Sequence, residues 1–340
     1  VEVPPLSLRQ VDLIVRNEVR QHALRLDATP PAELGERFVL SGRFRRGLLS
    51  QHPGRWRDWS GQLYAFWPQA ELQPWRPYWP VQADVQAGRG RVRLWSDFQR
   101  GAWVGGVVDV DLQDLRAVLR EDLPPLQLQQ LAGRLTAERQ GEGWRLASRG
   151  LNFRSRSGLQ WPGGDLTLHY TEARGTQPAT GRLQGERLDL QSVHELALRL
   201  PLSAPLHDSL QAWQVQGELS QLSLRWQGRW PQLARYALQL QGQDLQFEPR
   251  RAAAAATTPA VSAPVAGLGL RGARLQLSLD EQQGQAQLSM PRGGSLWLGG
   301  VLEEPLVPVR SLQAELQWQR GSDGRWRVDQ ASARLENADL

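Results

Sequence analysis

The chain contains no cysteine and no lysine. Without cysteine, disulfide frameworks, zinc-finger spacings and thiol nucleophiles are excluded, and a thiol-free sequence suits an envelope compartment. Without lysine, all 40 basic residues are arginine, set against 35 acidic ones for a formal net charge of +5. That surplus is spread over small local imbalances and forms no basic block, so it reads as a solvated face. Long hydrophobic runs are also missing. The one charge-free stretch, Ala252 to Leu270, carries Pro259, Pro264 and several glycine, serine and threonine breaks. Its hydropathy is too low for a spanning helix, and we read residues 251–267 as an Ala/Pro/Thr linker loop. No stretch reads as a signal peptide. The opening VEVPPLSLRQ without methionine, and the stop at NADL within an alternating segment, lead us to expect a central piece of a longer chain.

What the chain does contain is alternation. From Leu123 to Phe153 apolar side chains fall on every second position: Leu131, Gly133, Leu135 and Ala137 against Ala132, Arg134, Thr136 and Glu138. A period of two marks a strand with one apolar and one wet face. A second version of this stretch closes the sequence from Glu304, where Leu312, Ala314, Leu316 and Trp318 oppose Gln313, Glu315, Gln317 and Gln319. Each copy runs from prolines through an alternating strand to a glycine-rich turn, Gln140–Gly143 or Gly321–Gly324, and a Trp-Arg return. Each therefore predicts a β-hairpin, and their separation of roughly 180 residues points to a repeat architecture.

The same alternation recurs along the chain, for example at Leu6 and Leu8, at Val11, Leu13 and Val15, and at Phe38 and Leu40. It continues in Val92 and Leu94, in Val108, Val110 and Leu112, and in Leu166 and Leu168. Beyond residue 200 it resumes in Leu222 and Leu224 after a bulge expected at Ser220 and Gln221, in Leu238 and Leu240, and in Leu275 and Leu277. Between Trp59 and Trp67 both faces are apolar. We expect eighteen to twenty strands of eight to ten residues, joined by short turns and hence antiparallel. Two short helical inserts interrupt them, Ala70–Trp79 (AELQPWRPYW) and Ser192–Leu200 (SVHELALRL), the latter with a capping box from Ser192 to Glu195. Breaking the chain after such inserts gives three segments: 1–80, 81–211, and 212–340, the last holding the linker loop and incomplete at its C-terminus.

Chemistry for catalysis is sparse. His22, His52, His169, His194 and His207 are scattered, read as turn and polar-face residues, without metal-ligand spacing. Asp109 and Asp111 share an outward face, and Glu303/Glu304 are a second carboxylate pair; a solvated face is the better reading of either than a glycosidase pair. Arginines interleaved with aromatics, as in GRGRVR (Gly88–Arg93) and RFRR (Arg43–Arg46), would suit nucleic acid, but acidic residues dispersed among them prevent one strongly basic face. We expect no enzyme, no cofactor, no metal and no nucleic-acid partner. The 15 tryptophans suit either strand ends at a lipid–water boundary or ordinary core packing.

The hairpin with its Trp-Arg return, the Gly-Xaa-Leu strand feeding ELQPWRPYW, and EEPLVPVRSLQAELQWQR together resemble the central region of the YhdP-type family. That family lies in the AsmA-like group and is related to TamB. The resemblance spans essentially the whole chain as a pattern. It implies an all-β fold, a long twisted antiparallel sheet of repeated β-groove units with an open hydrophobic groove and short helical inserts. It also implies the periplasmic portion of an inner-membrane-anchored Gram-negative protein that carries phospholipids between inner and outer membranes. The membranes would be engaged through regions outside this chain, and any envelope protein partners are unidentified. The expected partners are phospholipid acyl chains. They would contact the inward series Val92, Leu94, Val108, Val110, Leu112, Leu131, Leu135, Trp144, Leu146, Leu166, Leu168, Leu222, Leu224, Leu238, Leu240, Leu275, Leu277, Leu312 and Leu316. The alternative is a structural or adhesive β-repeat scaffold whose apolar faces pack on each other.

Overall fold

The computed structural model describes residues 4–47, 55–78, 83–156, 158–229, 232–249, 267–299 and 305–337. The chain is all-β, a long antiparallel sheet with a few short helices. Its first strands are β1 (Arg9–Asn17), β2 (Gln21–Thr29), β3 (Phe38–Arg46), β4 (Trp59–Glu71), β5 (Asp84–Gln99), β6 (Ala102–Val118), β7 (Leu126–Gln140), β8 (Gly143–Ser155) and β9 (Gln160–Thr171). The remainder are β10 (Thr180–Asp189), β11 (Trp213–Arg229), β12 (Gln232–Pro249), β13 (Gly267–Asp280), β14 (Gln283–Met290), β15 (Gly294–Gly299), β16 (Leu306–Arg320) and β17 (Trp326–Asn337). The helices are α1 (Leu72–Trp75), α2 (Leu190–Ala197) and α3 (Ala204–Gln211), with 3-10 turns at Ala32–Leu34, Trp56–Asp58 and Arg76–Tyr78.

Two compact units result, one of Val1–His169 with Arg199–Pro201, the other of Tyr170–Leu198 with Leu202–Leu340. The inserts at which the sequence suggests segment boundaries are α1 with its 3-10 extension and α2 with α3. Among the described residues 17 strands are delimited, many of them longer than the eight to ten residues the alternation predicts, from 6 residues in β15 to 18 in β12. The reason is that β-bulges carry pairing across places where the alternation breaks. The bulge expected at Ser220 and Gln221 is one of these, since the register of β11 with β12 shifts between Leu219 and Gln221. Of the stretch read as linker, β13 takes Gly267 and the residues after it; residues 251–266 lie outside the described residues.

In the first unit β1 to β8 form a meander in which each strand pairs with its predecessor, and β9 lies beside β8. The registers align like with like. Leu26, Leu40, Ala65, Leu94, Val108 and Leu135 are successive partners across six strands. One residue further along, Val39, Phe66, Arg93, Asp109 and Arg134 form the corresponding row on the other face. With a side-chain period of two, fixing one such row fixes every other.

One end of this unit's apolar face is closed. Glu71 leaves β4 in extended conformation and α1 begins at once, burying Leu72 and Trp75. They join Ala28, Leu34, Phe38, Ala70 and Leu112 in a buried cluster. The Trp75 Nε1 donates to the Leu34 carbonyl over 2.8 Å, so the largest side chain of the plug carries no unpaired polar atom. Its ring lies edge-on to Phe38, Trp67 and Tyr78. Pro77, just past this segment, has no amide to donate to the Gln73 carbonyl and so ends the α-helix after a single turn. Beside the plug runs a band of register shifts, on β1 between Arg9 and Asp12, on β4 between Trp67 and Ala70, and on β5 between Val85 and Arg89. Bulges add twist and bend the strands that carry them.

In the second unit β10 to β13 again form a meander. Next, β14 and β15 share one strand position, both pairing with β13 on one side and β16 on the other. Helices α2 and α3 pack on β11. The Asp189 side chain caps α2 by accepting from Ser192 N at 2.7 Å. This corrects the expected capping box: the helix starts at Leu190, so Ser192 lies in its first turn, buried, rather than at the cap. Helix α3, unmarked by the sequence pattern, follows Ser203 and begins with Pro205 in its first turn, where a proline loses no hydrogen bond.

The duplicated hairpins are equivalent in detail. Leu131 faces Phe153 in β7–β8, and Leu312 faces Leu335 in β16–β17. Each first strand shifts register near its start, between Leu128 and Gln130 or between Val309 and Ser311. Each return tryptophan, Trp144 or Trp326, pairs with an arginine, Arg139 or Arg320.

Candidate functional site

Beyond the plug, the apolar face of the first unit stays accessible. Its middle is aliphatic: the row through Leu94, Val108 and Leu135, and beside it the row Leu24, Gly42, Leu63, Ser96, Gly106 and Ala137. Leu24, Leu135 and Leu146 keep 37%, 42% and 44% of their surface exposed. Further from the plug the face ends in aromatic rings. His22 stacks on Trp59 at 4.0 Å, Phe44 lies 6.1 Å from Trp59 and 6.3 Å from Phe98, and Trp103 stacks on Trp144 at 5.2 Å. Trp59, Trp103 and Trp144 all stand at or next to the first residue of a strand. The face therefore runs from a closed aromatic end, through half-exposed aliphatic rows, to a second aromatic border.

The second unit repeats the plan. Leu188, Leu219, Leu245, Ala273, Met290 and Leu312 are buried. Further along, Leu222, Leu240, Leu277, Ala286 and Leu316 are successive partners, as are Leu224, Leu238, Leu279, Gly284 and Trp318. The Trp318 ring lies flat against Gly284, where a Cβ would come within 2.2 Å of it. Here glycine is required by close approach of the indole.

The opposite faces are polar, by different means. In the first unit Arg134 forks onto Asp109 at 2.6 and 2.8 Å, and this hydrogen bond holds the Asp109 carboxyl below the usual carboxylate range. The Arg93 guanidinium lies over Phe66 at 5.0 Å and near Trp95 at 5.9 Å. That accounts for the stretch with two apolar faces: Tyr64 and Phe66 lie beside an arginine and an indole instead of a core. Arg25 likewise pairs with Asp27 and lowers its carboxyl pKa. In the second unit the polar face is a ladder of amides, with Gln221, Gln241, Gln276 and Gln287 as successive partners. A shallow hollow of about 730 Å³ lies over it.

A family model described as YhdP protein matches residues 4–340. The chain belongs to the YhdP family. No curated protein and no solved structure matches. In this YhdP-family chain the expected inward residues fall into two sets. In the first unit Val92, Leu94, Val108, Val110, Leu112, Leu131 and Leu135 share one face by register, with Leu146 and Trp144 continuing it on β8. Leu166 and Leu168 follow on β9, half-buried. In the second unit Leu222, Leu224, Leu238, Leu240, Leu275, Leu277, Leu312 and Leu316 share another face. Leu112, part of the plug cluster, and Leu312 are both buried, so neither is open surface.

The expected inward series left out the members of the face on β2 to β4, Leu24, Leu26, Leu40 and Leu63, although the same alternation marks them; Trp59, Trp103 and Trp144 stand at strand starts, one of the two placements the sequence allowed. Sequence reading also misplaced two histidines. His22 lies on the apolar face against Trp59, and His207 is buried in α3. A stacked imidazole keeps a polar edge while its ring covers an indole, which strand parity alone does not reveal. His52 and the Glu303/Glu304 pair lie outside the described residues. Among the described residues, no group of three or more histidines and carboxylates gathers that could hold a metal. No helix there is long and apolar enough to cross a membrane. The family is associated with the cell envelope.

Proposed function

We propose that this chain is a non-enzymatic conduit for phospholipids between the inner and outer membranes. It would form the periplasmic part of an inner-membrane-anchored protein, with acyl chains lying on the apolar face of each unit and head groups in water. One observation carries this reading. In the first unit a helical insert covers only one end of an apolar face, while the aliphatic rows beyond it remain half-exposed; in the second unit Leu222, Leu224 and Leu240 are likewise only half-buried and Leu316 is exposed. Burial of a methylene is worth about 0.8 kcal/mol, so lipid tails gain wherever such a surface runs across consecutive strands. The scaffold alternative requires connections that cross between packed sheets. Within each unit the strands pair with their sequence neighbours instead, the split β14/β15 position counting as one.

The test is site-specific photo-crosslinking in cells, with the probe at Leu135 and Leu168 and controls at Arg134 and Thr167. Lipid adducts at the leucines and not at the controls are expected. Protein adducts at the leucines with no lipid at any position would mean the face is closed against protein, and the conduit reading would fail.

A further inference from the structure

The apolar face of the first unit ends in an unusual concentration of unsatisfied nitrogen. Arg20 stands in the turn between β1 and β2, directly across from Arg46 at the end of β3: the Arg46 amide donates to the Arg20 carbonyl at 2.9 Å. The Arg20 Nη2 reaches the Arg46 carbonyl at 3.4 Å. Arg46 in turn faces Trp59, the first residue of β4, and Trp59 carries His22 stacked upon it. Arg20 Nε, Arg46 Nε, Trp59 Nε1 and His22 Nε2 are all buried and all without a hydrogen-bond partner. His22 uses its other nitrogen, Nδ1, with Asn17 Oδ1 at 3.1 Å.

Strand parity places these side chains on the apolar face. His22 and Leu24 are two apart on β2, Phe44 and Arg46 on β3, and Trp59 and Gly61 on β4, with Leu24, Gly42 and Leu63 as cross-strand partners next along. Buried N–H groups are normally paired, and an arginine Nε or an indole N–H can only donate. Elsewhere the polar faces give their arginines carboxylates, as in Arg134–Asp109, Arg25–Asp27 and Arg271–Glu248. Among the described residues, neither Arg20 nor Arg46 pairs with a carboxylate. Arg20, Arg46 and Trp59 thus offer donors and positive charge, with no carboxylate paired to either arginine among the described residues, at the point where an apolar surface meets water; with Nδ1 donating to Asn17, a neutral His22 ring presents Nε2 as an acceptor and supplies packing on Trp59 instead.

We propose that Arg20, Arg46 and Trp59, with His22 beside them, bind the phosphate of a phospholipid whose acyl chains lie along the adjoining surface of Leu24, Phe44 and Leu63. A phosphodiester supplies acceptor oxygens only, and guanidinium forks match it in geometry and charge. This rests on the conduit reading and adds to it a headgroup position at one border of the face.

The experiment measures binding of three probes to the purified chain: dioctanoyl phosphatidylglycerol, dioctanoylglycerol and inorganic phosphate. Phosphatidylglycerol should bind about tenfold or more tightly than the phosphate-free diacylglycerol, as expected for charge-assisted hydrogen bonds. The double variant Arg20→Gln/Arg46→Gln should lose that preference and keep diacylglycerol binding unchanged. If that variant is misfolded by circular dichroism, Arg20→Lys/Arg46→Lys, which keeps the charge and loses the fork, is read the same way and should lose part of the preference. Undiminished preference in the folded variant overturns the headgroup site and leaves the conduit reading standing, provided diacylglycerol still binds. Inorganic phosphate binding as tightly as phosphatidylglycerol overturns the lipid assignment. Failure of both amphiphiles to bind removes the conduit reading, and the headgroup site with it.

Discussion

Substituting Leu94 and Leu135 together with aspartate should interrupt lipid movement along the first unit. These residues flank Val108 in one cross-strand row, so their carboxylates would stand about 10 Å apart, two strand spacings, without directly opposing each other. An acyl chain crossing one strand spacing of about 4.8 Å presents about four methylenes. At ~0.8 kcal/mol each, denying them apolar contact costs about 3 kcal/mol. As a barrier, that slows passage roughly 100-fold. The fold should tolerate the change at a cost of about 1–2 kcal/mol, because Leu135 is already 42% exposed and Leu94 half-buried. The Arg93, Asp109 and Arg134 row on the other face is untouched. Transfer of a fluorescent phospholipid between donor and acceptor vesicles measures the rate, and circular dichroism checks folding. A control variant, Thr136→Asp on the polar face of β7, should transfer normally. A folded double variant that transfers within twofold of the unsubstituted protein would refute the track.

Trp75→Phe keeps the ring of the plug and removes its donor to Leu34; stranding a buried carbonyl should cost about 1–3 kcal/mol, read as a lower midpoint in urea unfolding. Gly284→Ala drives a Cβ into the Trp318 ring, 2.2 Å away as it now lies, and should cost about 1–3 kcal/mol with a shift in tryptophan emission. Asp109 contributes stability fully above the unfolded carboxyl value of about 3.9 and loses it as pH falls through its lower folded value. Asp109→Asn should therefore destabilise by about 1 kcal/mol at neutral pH, with the gap closing as melts are taken to pH values below the ordinary carboxylate range. Asp189→Ala removes the cap of α2 and should cost about 1 kcal/mol, seen as faster amide exchange at Ser192.

The two-residue period was sufficient to read the sheet, because burial of one face leaves a period-two signature whatever the neighbours do. Antiparallel order followed from short turns, and the duplicated hairpin from Trp144 and Trp326 at equivalent returns. Strand ends were not legible, because a bulge such as that between Leu219 and Gln221 breaks the alternation without ending the strand. Nor was α3, whose sequence APLHDSLQ carries too few apolar positions to mark a face. The aliphatic part of the candidate site was visible in leucine and valine spacing. The border at Arg20, His22, Arg46 and Trp59 was not: Arg46 reads as one more solvated arginine of RFRR until the register sets it between Arg20 and Trp59.

The two faces of each unit explain how such a surface is kept open. A sheet with an apolar face normally collapses onto a second layer, and pairing at the wrong register would turn its leucines toward water. In the first unit the polar face opposes this with fixed charge: Arg93 meets Asp109 and Asp109 meets Arg134 across three strands. A one-residue slip of β6 would set Arg93 against valine and Asp109 against leucine or glycine. In the second unit the amide ladder through Gln241, Gln276 and Gln287 fixes the corresponding register without charge. In the first unit the helical insert then closes one end of the apolar face, and the bulge band beside it bends the strands around that closed end. Register is set from the polar side and curvature from the closed end. Among the described residues the aliphatic rows are therefore held in place without a covering layer, as an apolar ligand would require.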